Sequence, residues 1–214
     1  MGGLFARPLT WLTLSALAAL VAIGVAAYAV LSSPRVEPPT TGAAAVAPAG
    51  LAADIVIPAN SMTAPDFSLK DQDGQSISVS SLKGRVLTIT FLDSHCKQLC
   101  PVEGEQLGQA QRALGSKSPM TLLVVSVAPA TDTPDSERAF AAAHHWTGDW
   151  HWLNGPPDQL AAVWKAYSIA VQNAPDNILH SDVLYLVDRQ GFERAGWAAG
   201  IQPNLLAHDV RLLS

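Results

Sequence analysis

Cysteine is nearly missing from this chain: among 214 residues there are only two, Cys96 and Cys100. With no other thiol available, these two can meet only each other, a metal ion or a partner's thiol. Charge is sparse as well. Asp, Glu, Lys and Arg make up 14% of the residues, the net charge is −5, and no Lys/Arg cluster follows the first third of the chain. Nucleic-acid binding needs a basic surface, so that class is excluded. No internal repeat is visible, which removes solenoid and propeller architectures.

Charge is absent altogether from Leu9 to Leu31. A helix of about 20 apolar residues can cross a hydrocarbon core of about 30 Å. A cleaved leader has a shorter apolar core, about 7–15 residues, so the length favours a retained transmembrane helix, and residues 1–34 are read as a membrane anchor. Arg7 precedes the run, while Arg35 is followed closely by Glu37. That asymmetry keeps the short N-terminus inside and puts the rest of the chain outside the cytoplasm, in a compartment that tolerates disulfides. Large apolar side chains are then scarce up to about Asn60. The Pro/Ala-rich stretch 35–60 cannot bury enough surface to fold and reads as a flexible tether.

The remaining residues, 61–214, form one α/β domain. Short strands are expected at Phe67–Leu69 and Ser76–Val79, around the Asp71-Gln72-Asp73-Gly74 turn. Val86–Leu92 and Met120–Val127 are almost continuously apolar, as parallel strands covered on both faces are. Between them Pro101, Glu103, Leu107, Ala110 and Leu114 suit a helix with proline in its first turn. Thr133-Pro134-Asp135 opens a second helix, and Pro157–Tyr167 carries a helical stripe of Leu160, Val163, Trp164 and Tyr167. Strands at Trp150–Leu153, Val183–Val187 and Phe192–Trp197, then a helix at Pro203–Leu213, complete the chain. A β-α-β half followed by a β-β-α half is the thioredoxin-like order: a central mixed sheet flanked by helices.

In open α/β sheets functional loops lie beyond the carboxyl ends of parallel strands, and Ser94-His95-Cys96-Lys97-Gln98-Leu99-Cys100-Pro101 falls at such an end. Two thiols at this spacing can close a disulfide or hold a soft ion such as Cu(I) or Zn(II). A metal would want a third ligand. His180, in the loop before the Val183–Val187 strand, is the candidate, because in this fold that loop lies against the cysteine loop. Sequence separation alone would leave it a surface histidine. Alternation along an extended loop points His95 away from the sulfur. His144, His145 and His151, among Trp146, Trp150 and Trp152, read as helix C-terminal caps, His208 as solvated, and Asp132 as an acceptor of backbone hydrogen bonds.

From Pro65-Asp66-Phe67 to the C-terminus the chain resembles the Sco/SenC family of membrane-anchored copper proteins. The resemblance rests on Leu82-Lys83-Gly84-Arg85, Cys96-x3-Cys100-Pro101, Asp132-Thr133-Pro134, and His180 before Leu184-Tyr185-Leu186-Val187-Asp188 and Gly191. It implies a thioredoxin-like fold, with Cys96, Cys100 and His180 as ligands of copper, Cu(I) or Cu(II). It further implies delivery of that copper to, or reduction of, the CuA site of cytochrome c oxidase. The expected partners are thus the membrane and that CuA subunit, or another thiol or copper protein. Two departures stand out: Lys97-Gln98-Leu99 replaces the usual Pro-Asp-Val, and Ala128-Pro129 replaces Asp-Pro. Gaining a lysine and losing an acid near the site are expected to lower the thiol pKa. Two enzyme readings compete. One is a thiol–disulfide oxidoreductase using the redox pair Cys96/Cys100 without stored metal. The other is a thiol peroxidase, since Cys100-Pro101-Val102-Glu103 resembles a peroxiredoxin segment but has Lys97 where that family has threonine.

Overall fold

The computed structural model describes residues 50–115, 117–174, 177–198 and 200–214. The apolar run assigned as an anchor lies outside them. Among the described residues no helix is long and apolar enough to cross a membrane.

Every residue of β4 (Val86–Leu92) and β5 (Met120–Ser126) is buried, and the two strands pair in parallel. Their β-branched and apolar side chains fit a pleated surface covered on both sides. β6 (Asp149–Leu153) adds a third parallel strand beside β5. On the other side of β4, β9 (Val183–Val187) runs antiparallel, followed by β10 (Glu193–Ala198) and β1 (Ile55–Val56). The sheet order is β1-β10-β9-β4-β5-β6, and it contains the parallel pair plus antiparallel hairpin of the thioredoxin-like order.

Helices cover both faces. On one, α1 (Leu99–Leu114), α2 (Pro134–Ala143) and α4 (Pro203–Leu213) bury Leu107, Phe140, Leu206 and Val210 against Leu122, Val124, Leu186 and Trp197. On the other, α3 (Pro157–Ala166) and the hairpin β2 (Ser68–Lys70)–β3 (Ser76–Ser78) cover Leu87, Ile89, Phe91 and Val125. Thr133 caps α2: its hydroxyl accepts Ser136 N while the Ser136 hydroxyl accepts Thr133 N, which satisfies two otherwise orphaned donors.

Two stretches depart from expectation. A tether reaching to residue 60 is too long: the folded domain starts about ten residues earlier. Val56 pairs with Ala195, Leu51 and Ala53 pack on the core, and the Asp209 carboxylate accepts Ala52 N at 2.8 Å and Ala53 N at 3.1 Å. Backbone hydrogen bonds hold this segment, and its Leu51 and Ile55-Val56-Ile57 are large apolar residues that the Pro/Ala-rich composition of the longer stretch conceals. The second stretch is a small hairpin not foreseen from the sequence, β7 (Val171–Ala174) with β8 (Asn177–His180). It places His180 at the end of a strand, paired with Val171, rather than in a loop.

Candidate metal centre

β4 delivers the chain into a tight turn. Cys96 N donates to Asp93 O at 3.2 Å, and His95 N donates to the Asp93 carboxylate at 2.8 Å. Asp132, in the loop after β5, reaches across. One of its oxygens accepts Ser94 N at 2.9 Å and the Ser94 hydroxyl at 2.6 Å, and the other accepts the Ser126 hydroxyl at 2.6 Å. α1 begins at Leu99, so Cys100 stands inside its first turn and Cys96 outside the helix. A shared helical face for both sulfurs is therefore not what aligns them. Turn geometry brings Cys96 to the pocket that the buried Cys100 lines. Both thiols are free.

His180 arrives from β8. Its Nδ1 lies 3.0 Å from Ser181 O, and a carbonyl can only accept, so Nδ1 carries the proton. Nε2 lies 3.6 Å from Cys100 Sγ, and in the neutral ring it offers its lone pair to that thiol. Cys96, Cys100 and His180 thus line one small pocket of about 70 Å³, together with Leu99, Leu179 and Asp182. That volume suits an ion or a water or two.

The pocket floor holds a group that sequence reasoning passed over. Glu103, one turn beyond Cys100, is fully buried; it accepts the Thr90 hydroxyl and lies beside Asp182. Burial, reinforced by the negative Asp182, pushes its carboxyl well above the usual range, so the neutral acid is favoured. A signal existed: Glu103 interrupts the apolar stripe Leu107, Ala110, Leu114, and a charged residue on a core-facing helix stripe needs a reason.

The thiol does not behave as Lys97 suggested. Burial pushes the Cys100 pKa up, against a backbone hydrogen bond from Asp93 that favours the thiolate. Lys97 is exposed, so its charge is screened by water rather than aimed at the sulfur. Deprotonation of Cys100 therefore needs something that rewards the anion, such as a metal ion or disulfide formation.

The other histidines sort by contacts. His95 is exposed, with Nδ1 3.0 Å from the Ser94 hydroxyl, and is not among the residues lining the thiol pocket. It comes close to Asp93 and Asp132, but both Asp132 oxygens already accept hydrogen bonds. His144 is the C-terminal cap residue of α2. His151 is no cap: it lies in β6 with Nδ1 3.0 Å from Asp71. Nor is His208 simply solvated, since its Nδ1 contacts Asp209 at 2.9 Å and its side chain is only 17% exposed.

Known proteins resemble this arrangement. The chain is 29% identical over 131 residues to a SCO1 protein homolog of Bacillus subtilis, covering 58% of this chain and 68% of that one. It is 30% identical over 136 residues to the mitochondrial SCO2 of Saccharomyces cerevisiae, covering 58% of this chain but only 44% of the yeast protein. The structure of Bradyrhizobium japonicum ScoI, solved with copper bound, superposes with a TM-score of 0.64 at 25% identity, over 72% of this chain and all of that one. BsSco, described as a Sco-family cytochrome c oxidase assembly protein with a disulfide switch, superposes at 0.62 and 24% identity, over 74% of this chain and 96% of that one. At that identity the likeness speaks for the fold. The SCO1/SenC family model matches residues 57–213, nearly the whole described domain with all three pocket residues inside it, and the chain belongs to that family.

Proposed function

We propose that this protein is a membrane-tethered, extracytoplasmic copper carrier that holds its cargo at Cys96, Cys100 and His180. It passes that copper by ligand exchange to the CuA subunit of cytochrome c oxidase or to another thiol or copper protein. One observation carries the reading: a histidine 80 positions away in sequence presents its Nε2 to Cys100 Sγ at 3.6 Å. A sulfur and a nitrogen bound to one ion, about 2.3 and 2.0 Å from it at a near-tetrahedral angle, stand at about that separation. Two thiolates and an imidazole form a soft donor set suited to Cu(I), with the nitrogen accommodating Cu(II). The copper-bound relative supports the choice of ion. The apolar run Leu9–Leu31 supports the tether. Leu99, Val102 and Leu179, each more than half exposed, stand on or beside the pocket rim, and an apolar surface of this kind is suited to contact with another protein.

The test is copper titration of the full chain under reducing conditions, with stoichiometry by elemental analysis. One tightly held ion per chain is expected, and His180→Ala should weaken binding at least tenfold while leaving the disulfide exchange rate within about twofold. A wild-type chain that retains no copper would overturn the reading. The second reading, a thiol–disulfide reductase without stored metal, would then hold, since Cys96 and Cys100 line the same pocket as free thiols. A peroxidase is separated by peroxide consumption requiring Cys100 alone.

A further inference from the structure

Of the three pocket side chains, two are fixed by regular structure. Cys100 is buried within α1, and His180 ends β8 with its ring held by Ser181 O. Cys96 has neither support. It stands in a turn outside the helix, and Ser94, two residues before it, is bound through both backbone and side chain to Asp132. The Asp132 side chain is wholly buried and is itself held by the Ser126 hydroxyl, while Asn154 Nδ2 donates to its backbone carbonyl at 3.2 Å. Three strand ends are thereby tied together: β4 through Ser94, β5 through Ser126 and the chain after β6 through Asn154.

The geometry points to Asp132 as the positioning residue of this site: by clasping Ser94 it sets where Cys96 stands relative to Cys100 and His180. It touches neither thiol and acts only through the turn. An asparagine has the same shape but only one acceptor oxygen and no charge: its NH₂ can be taken by the Ser126 hydroxyl, which leaves Ser94 held by a neutral amide oxygen whose hydrogen bonds are weaker than a carboxylate's. The turn then loosens and Cys96 spends less time beside its partners. Outer partners that orient metal ligands are commonly worth 10–100-fold in affinity. The same loosening lowers the effective concentration of one thiol toward the other.

The inference rests on the copper-carrier reading for its metal arm and is independent of it for its redox arm. The experiment compares the full-length wild type with Asp132→Asn, and uses Asp188→Asn, an equally buried turn aspartate away from the pocket, as a control. Two quantities are read: Cu(II) affinity with its charge-transfer spectrum, and the equilibrium of the dithiol with glutathione. In that equilibrium Cys96 and Cys100 form one S–S bond and release two protons and two electrons. Oxidised glutathione takes up both, its own S–S bond breaking to give two thiols. Asp132→Asn should bind Cu(II) at least tenfold more weakly with an altered spectrum. Its disulfide should close about tenfold less favourably, equivalent to roughly 30 mV; Asp188→Asn should leave both quantities unchanged. Unchanged values in a folded Asp132→Asn overturn the inference, as do equal changes in both variants. If Asp132→Asn does not fold, Ser94→Ala removes only the hydroxyl arm and should move both quantities in the same direction; no movement overturns the clasp. If the wild type takes up no copper, the carrier reading fails while the glutathione equilibrium still decides the role of Asp132.

Discussion

Buried carboxyl groups are the residue-scale signature of this domain, and Glu137 is one whose titration is moved to neutrality. It lies in the first turn of α2 at 1% exposure, and one carboxyl oxygen has no hydrogen-bond partner. Burial pushes its pKa up to about 7; Asp132 and Asp71 add to the rise, while Asn154 and Arg138 oppose it. In the unfolded chain the same group titrates near 4.5. Between those two values the folded protein binds more protons than the unfolded one, so the contribution of Glu137 to stability falls as pH rises from about 4.5 to about 7. Glu137→Gln, which cannot ionise, should flatten that part of the curve. Urea unfolding midpoints at a series of pH values check this; parallel curves for the two proteins would show that Glu137 has no such role.

At the scale of elements, the packing of α1 on α2 depends on two glycines of α1. A Cβ on Gly104 would come within 2.6 Å of the Phe140 ring, and one on Gly108 would collide with the His144 backbone carbonyl. A ring can tilt aside, whereas a backbone carbonyl at a helix end cannot without moving the chain. Gly108→Ala should therefore destabilise the domain by about 1–3 kcal/mol despite alanine's better helix propensity, measured as a fall in unfolding midpoint. Stabilisation instead would mean that α1 and α2 are free to separate. Elements were well legible where one pattern dominated. The buried strands Val86–Leu92 and Val183–Val187 and the helix Pro203–Leu213 were read at their observed bounds. The hairpin carrying His180 was not, because the sequence Val171–His180 is short, mostly polar and lacks a clear alternation of apolar and polar residues. The three pocket residues could be named from spacing and family likeness. Glu103, Asp182 and the Ser94–Asp132 clasp could not, since each depends on which face of one element meets another.

For the molecule as a whole, the cysteine turn, Asp132 and Asn154 share the carboxyl edge of the parallel strands, while the far side of the sheet depends on a different aspartate. Asp209, fully buried in α4, accepts two backbone N–H groups of Ala52 and Ala53. Hydrogen bonds to a charged group contribute about 1.5–3 kcal/mol each. Asp209→Ala should therefore cost at least about 2 kcal/mol and expose the Leu51–Val56 segment to rapid amide exchange, while leaving copper uptake intact. Slow exchange of those amides in the variant would show that strand pairing alone holds them. The clamp also has a temporal meaning. Its two halves are separated by 157 positions, and β10, the strand that β1 pairs with, comes nearly as late. The first residues of the described domain to leave the ribosome must therefore wait for a helix 157 positions further on before they can dock. β4, α1 and β5, thiols included, follow one another directly in sequence, whereas this seam closes only once α4 has arrived.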